Sequence, residues 1–475
     1  MKNITTMNDT EIETAPRAAG EPGSLIIKFK DKFHISFRFG KDVSGYDGIM
    51  AEMESFAPGE VRLQIMDCLN QVWALNRKIP EGDFRMLFDF KDFECKSEHP
   101  QTKTPASLEK LELAGNFSRA VEKLLLQNLK PFGSRGLNGP STAVDPAFDI
   151  YHKQPWDKTV ADIKELGFTA VDFIIVYDLA LEKQREIIQK FHEAGISVAL
   201  RIYPTTDFEA YEKHPDWRQI SLDGSSRHDW RVYLCPNSEE FTNHICEEVK
   251  KTVRAVNYNA IELAEPWFEV WGGAYPDNPT RGKYGCLCSN CRKKFQDLHG
   301  VDPKELFDKK CGYYFEKEEN REIYQKWQDF RVDTIIRFSG RIYEAAKEAR
   351  PGIKIIHMHL ADCSVEPGRS REYQAMDIEQ GLREIRPDVM IIEDAWQDWT
   401  RPELRPDFVK GYAKAYIDQI RSVSPDVIIK AHADIGSLSE MQRRYSWMRE
   451  FSALARAGGF DAPIYYEYSI GDFSE

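Results

Sequence analysis

From about residue 145 onward the sequence alternates between short apolar runs and longer stretches of helical period, and it does so eight times. The runs are AFDIYH (147–152), TAVDFIIVYD, SVALRIYP, NAIELAEP, KIIHMHL, DVMIIEDA, DVIIKAHAD and APIYYEYS. Between them lie stretches such as TVADIKELG, EKQREIIQKFHEAG and SEEFTNHICEEVKKTVRAV. Such alternation implies parallel strands covered by helices. Eight units predict closure, giving an α/β chain with a (β/α)8 TIM barrel at 145–475. No helix is read after the eighth run. A helix read over NFSRAVEKLLLQNL, near 116–129, could cover that gap.

Upstream the period changes. SLIIKFKDKFHISFRFG, GEVRLQIMD and FRMLFDFKDF alternate with period two, which predicts an N-terminal β-rich accessory domain over residues 24–110. Its last part, KSEHPQTKTPASLEK (96–110), reads as a linker, and 111–144 as a connecting helix and further linker. Residues 1–23 are polar with Gly and Pro and are expected to be disordered. The accessory domain could pack on the barrel, bind ligand or form a dimer interface, so a homo-oligomer stays open.

Composition narrows the function classes. Lys+Arg 64 against Asp+Glu 77 gives a net charge of −13, which argues against a nucleic-acid partner. No run of about 18 apolar residues occurs, so no membrane-spanning helix is expected. The N-terminus lacks an apolar signal core, and the nine cysteines are mostly scattered; both suit a reduced, cytoplasmic chain. Neither G-x-x-x-x-G-K-[ST] nor a post-strand G-x-G-x-x-G is present, so no nucleotide cofactor is expected.

In a TIM barrel the chemistry sits at the C-terminal strand ends. Outward side chains pack on helices, so apolar positions are read as facing out. On that rule Arg201 and Tyr203 face inward on the third strand, His357 and His359 on the fifth, and Lys430, His432 and Asp434 on the seventh. The fourth strand adds Glu262 and Glu265, the sixth Glu393 and Asp394, and the eighth Glu467. Trp267, Trp271, Trp396 and Trp399 flank these ends.

Carboxylates, histidines and aromatic faces together suggest glycoside chemistry, which needs one protonated and one ionised carboxyl. The reading takes Glu265 as general acid/base. Asp434, Glu393 or Asp394 is its partner. Arg201, Tyr203, Glu262, Trp267, His357, His359, Trp396, Lys430, His432 and Glu467 bind a carbohydrate substrate. Two alternatives remain. One is a metal-dependent barrel isomerase or hydrolase using His357, His359, His432 and Asp434. The other is a carbohydrate-binding barrel without catalysis.

After the fourth strand comes a long excursion holding Cys286, Cys288 and Cys291. This C-x-C-x-x-C spacing suits a structural Zn²⁺, which takes four ligands. Cys235 is the expected fourth, with Cys311 as runner-up. The segment CLCSNCRKKF, following a strand-four Glu-Pro, resembles the cysteine loop of family 42 glycoside hydrolases, the β-galactosidases. The resemblance covers the barrel. It implies a zinc site completed by an upstream cysteine, which Cys235 matches, and an acid/base at Glu265. It also implies a nucleophile at the end of strand seven. There this sequence has KAHAD, ending in Asp434, and Ala264 stands where the family has an Asn before the acid/base.

Overall fold

The computed structural model describes the chain apart from residues 1–3, 8–10, 16–23, 29–31, 43–47, 56–57, 68, 80–81, 98–104, 106, 118–122, 133–134, 176–178, 229–230, 272–282, 362–368, 395–399, 439–440 and 474–475. It divides into two compact units, Met1–Arg135 with Lys347–Ile353, and Gly136–Ala346 with Lys354–Glu475.

The first unit is built from two antiparallel sheets. One has six strands in the order Ile4–Met7, Lys32–Asp42, Ser107–Phe117, Gly59–Met66, Val72–Ile79, Glu94–Cys95. The other has five, in the order Glu11–Ala15, Ser24–Lys28, Lys123–Phe132, Gly48–Ser55, Gly82–Asp89. Period-two alternation pays off in register: Leu113 lies opposite both Leu63 and Ile35, and Leu111 opposite Ile65, and all five are buried. Three expectations are corrected here. The segment 1–23 contributes two strands, so it is not wholly disordered. The linker at 96–110 ends inside the strand Ser107–Phe117. The helix read over 116–129 is instead the end of that strand and most of Lys123–Phe132. Sheet pairing on both edges of these strands outweighs the helical propensity of a Glu-Lys-Leu-rich stretch.

The second unit is a closed barrel of eight parallel strands. We number them β1 Ser141–Val144, β2 Ala170–Ile175, β3 Ser197–Ile202, β4 Ala260–Leu263, β5 Lys354–Leu360, β6 Val389–Glu393, β7 Ile428–Asp434 and β8 Ala462–Tyr466. Pairing of Ser141 with Ile464 closes the ring. The main covering helices are α1 Trp156–Glu165, α2 Leu181–Glu193, α3 Glu239–Ala255, α4 Arg321–Ala349, α5 Ile378–Ile385, α6 Lys410–Val423 and α7 Tyr445–Ala457. Local sequence sets their ends. Ser238 accepts from the Phe241 N–H at the start of α3, and Asp377 from the Gln380 N–H at the start of α5. The first strand is STAV, not AFDIYH: residues 150–153 of that run form a helical turn, so the barrel starts before residue 145. No described helix is long and apolar enough to cross a membrane.

Candidate active site

The floor of the barrel is apolar. Ala170, Ala199, Ala260, Ile356, Met358, Val389, Ile391 and Ile464 pack together, joined by Leu137 from the turn ahead of β1. Above the floor the interior carries charge. Asp172 (β2), Arg201 (β3), Glu262 (β4) and Lys430 (β7) are all buried. Arg201 Nε lies 3.3 Å from Glu262 Oε1, and Lys430 Nζ donates to Ser141 Oγ at 2.9 Å. Burial, reinforced by Asp172, pushes the Glu262 carboxyl up to about 8 despite Arg201. Burial also lowers the Lys430 ammonium, with Asp172 and Glu262 acting the other way. The four side chains lie together below the mouth, and removal of a charged member would leave another without its compensation.

This cluster has a stability signature. The Glu262 proton is bound more tightly in the folded protein than at the ordinary value of 4.5. Its contribution is therefore full below 4.5 and is lost as pH rises through about 8. Urea unfolding near both ends of that window should show a fall in stability with rising pH. Glu262→Gln, which keeps the neutral shape, should flatten it; an unchanged slope in the variant would refute a protonated Glu262.

At the mouth two carboxylates meet. Glu265 follows β4 with φ +49°, a left-handed conformation that costs a non-glycine residue roughly 1 kcal/mol. Its carboxylate is paired with Arg231, which is fully buried and also donates from Nη2 to the Glu265 carbonyl at 3.3 Å. The Arg231 guanidinium lies over the rings of Tyr203 (4.9 Å) and Tyr233 (4.5 Å), and its Nε donates to Thr206 Oγ1. Glu393 ends β6. Its Oε2 is shielded from solvent and has no hydrogen-bond partner among the described residues. Burial first, then the charge of Glu265, pushes the Glu393 carboxyl well above the usual range; Arg201 opposes this. Asp145, just beyond β1, is also raised by burial.

Beside Glu393, Asp394 Oδ1 lies 2.7 Å from His432 Nδ1, and its Oδ2 accepts from the Asp434 N–H at 3.3 Å. Arg201 and His432 both neighbour Tyr466, at 5.8 and 6.5 Å from its ring. Trp267 is buried, and its backbone N–H donates to the Glu265 carbonyl at 2.9 Å.

Several expected site residues lie elsewhere. His357 and His359 face the helix layer, because Ile356 and Met358 occupy the barrel interior. His357 Nδ1 is 3.2 Å from Tyr343 Oη on α4, and its ring fits against Gly381 of α5. His359 lies beside Tyr416 of α6. Burial holds the His357 imidazole down at about 3. Asp434 is spent on its own turn: Oδ1 accepts from the N–H groups of Gly436 and Ser437, and Oδ2 from the Ser437 hydroxyl. The metal set His357, His359, His432 and Asp434 is therefore not assembled. Glu467 is likewise engaged, by Tyr151, the Asp145 N–H and Ser469, rather than free to bind substrate. Glu262 and Lys430 sit in the tier below the mouth. Trp396 and Trp399 lie outside the described residues, as does the Trp271 side chain. Asp145, Asp172, Arg231, Tyr233 and Tyr466 were missed. Of these, only Asp172 and Tyr466 carried a signal, as polar groups at inward positions on their strands.

The four cysteines do converge. The sulfurs of Cys235, Cys286, Cys288 and Cys291 all lie within 4.8 Å of one another and are buried. Cys235 is 3.4 Å from Cys291 and 3.5 Å from Cys288, too far for a disulfide and near the roughly 3.8 Å edge of a tetrahedral Zn–thiolate site. N–H groups of Ile220 and Cys288 point at the Cys286 sulfur, and those of Asn237 at Cys235 and Cys291. Such donors suit thiolates. The residues thus fit a metal ion. Cys311, the runner-up, lies apart and meets Glu305.

The second unit is thus a (β/α)8 barrel with two carboxylates, Glu265 and Glu393, at its mouth. Among solved structures it resembles the β-galactosidase of the haloarchaeon Halorubrum lacusprofundi (16% identity, TM-score 0.51, 69% of this chain and 52% of that one). It similarly resembles the cold-adapted β-galactosidase of Rahnella sp. R3 (14%, TM-score 0.51, 70% and 52%). The PgaB glycoside hydrolase domain of Bordetella bronchiseptica aligns over 69% of this chain and 93% of its own length (11%, TM-score 0.50). The chain spans about half the length of the β-galactosidases it matches. No family profile and no curated protein matches the sequence. At these identities the likeness shows the fold alone, a (β/α)8 TIM barrel.

Proposed function

We propose that the protein cleaves a glycosidic bond in a carbohydrate, with Glu393 as the proton donor and Glu265 as the ionised carboxylate. The observation that carries this reading is the divergence of the two environments. Glu393 is held protonated by burial and by a neighbouring negative charge. Glu265 is clamped by the buried Arg231 guanidinium. A carboxyl held protonated beside a carboxylate ion-paired with an arginine is the combination that glycoside cleavage needs. The roles reverse those implied by the family 42 resemblance, which would make Glu265 the acid. Tyr203 and Tyr466 supply aromatic surface beside the pair. A panel of aryl α- and β-glycosides tests the reading. Turnover should be lost in Glu265→Gln on every leaving group and in Glu393→Gln on poor leaving groups; no turnover by the unaltered protein, or undiminished activity of both variants on a poor leaving group, would refute it.

We further propose that the four-cysteine cluster holds a structural zinc ion. Cys235, Cys286, Cys288 and Cys291 would complete its coordination, leaving no position open for substrate. On this reading glycoside turnover survives exclusion of added metals, because the zinc serves only to tie two loops together.

A further inference from the structure

We infer that His432 selects the substrate: its Nε2 is a fixed hydrogen-bond acceptor for a free sugar hydroxyl, and Arg201, which borders the same Tyr466 ring, offers a donor to the sugar. The inference rests on the carbohydrate reading above and names the substrate class for that site.

Asp394 Oδ1 lies 2.7 Å from His432 Nδ1, its Oδ2 accepts from the Asp434 backbone N–H, and a carboxylate only accepts. Nδ1 of His432 must therefore carry the proton. In the neutral ring this leaves a lone pair on Nε2. His432 is buried, and Nε2 has no hydrogen-bond partner among the described residues. It cannot point into the helix layer, because its strand neighbour Lys430 already reaches Ser141 across the barrel interior. Pairing of Ile391 with Lys430 and of Ile392 with Ala431 brings His432 level with Glu393 on the adjoining strand. The lone pair thus opens beside the proposed proton donor.

An unmet buried acceptor is costly, so a ligand that brings an O–H there gains what the empty site forgoes. Arg201 supplies the complement. Its Nη1 is buried, without a hydrogen-bond partner among the described residues, and Tyr466 borders both side chains. A sugar hydroxyl donates to Nε2, and a sugar oxygen accepts from Arg201. A deoxygenated or O-methylated sugar at this position leaves Nε2 unpaired or blocked.

Nitrogen NMR of the full chain should find the His432 proton on Nδ1 alone. Protonation at Nε2, or at both nitrogens, would overturn the inference. Asp394→Asn provides a conformationally mild control. Its amide oxygen must stay on the Asp434 N–H, so its NH2 faces Nδ1 and drives the proton to Nε2; failure of the proton to move would also overturn it. With the aryl glycoside that the protein turns over, one monodeoxy analogue should lose roughly 10- to 100-fold in kcat/KM. His432→Ala should be indifferent to that same deletion, and an equal loss in this variant would sink the assignment. Should the unaltered protein cleave no glycoside at all, the glycosidase reading fails separately. Methyl glycosides then decide the matter. A shift of the Nε2 resonance with the parent sugars but not with the deoxy analogue supports the inference, and no shift with any overturns it.

Discussion

Glu393→Gln is expected to lower kcat by about 10²- to 10⁴-fold while leaving KM nearly unchanged, because it removes a proton and keeps the shape of the side chain. The loss should depend on the leaving group. A poor leaving group needs the proton and should show the full effect; a strongly acidic phenol leaves without it and should be cleaved by the variant at close to the original rate. The pH profile carries the same signature. Glu393 must be protonated to act, and burial together with Glu265 places its carboxyl well above the usual range. Activity of the unaltered protein therefore falls as pH rises through that raised value, and the variant should lack this limb. Glu265→Gln should lose activity on good and poor leaving groups alike. If instead Glu265→Gln is the variant spared by good leaving groups, the two roles are exchanged.

The barrel was legible because its signal is repeated. Seven of eight strands fall in the runs that the alternation marks, and closure follows from their number. The first strand escaped because STAV is four residues long and small, while the neighbouring AFDIYH looks more like a strand than the turn it is. The mouth was legible only where parity had a second constraint. On β7, Lys430 and His432 do face inward. On β5 the sequence alternates from Ile356 to Leu360 (IHMHL), but alternation shows two faces without saying which is which. The assumption that helices receive the apolar face failed there. Tyr343 gives His357 a polar partner in the helix layer, and Gly381 leaves room for its ring. Arg231 was invisible for another reason. It lies in a loop with no period, and its partner Glu265 is 34 residues away. The cysteine cluster was legible because spacing alone placed three ligands, and Cys235, in the loop after β3, could supply the fourth.

That cluster bears on the carboxylates. Cys235 lies four residues beyond Arg231 in the loop after β3, and Cys286, Cys288 and Cys291 belong to the excursion after Glu265 at the end of β4. A zinc ion bound by all four would tie the loop that carries the clamp to the loop that follows the carboxylate it clamps. Removing one ligand should therefore be felt twice. Cys291→Ser is expected to lower stability by on the order of 3–5 kcal/mol, since metal binding is folding energy and a buried ligand set is left incomplete. For a unit of this size that corresponds to a fall in Tm of roughly 5 °C. Activity should drop as well, through loss of the Arg231–Glu265 pair rather than loss of any group that touches substrate. Cys311→Ser, outside the cluster, should change neither quantity and serves as the reference. Elemental analysis should find about one zinc per chain in the unaltered protein and in Cys311→Ser, and none in Cys291→Ser. An unaltered protein free of metal, with the same Tm as Cys291→Ser, would reduce the cluster to four packed thiols. The Arg231 clamp would then have to be held without zinc, by neighbours such as Thr205, Thr206, Tyr203 and Tyr233.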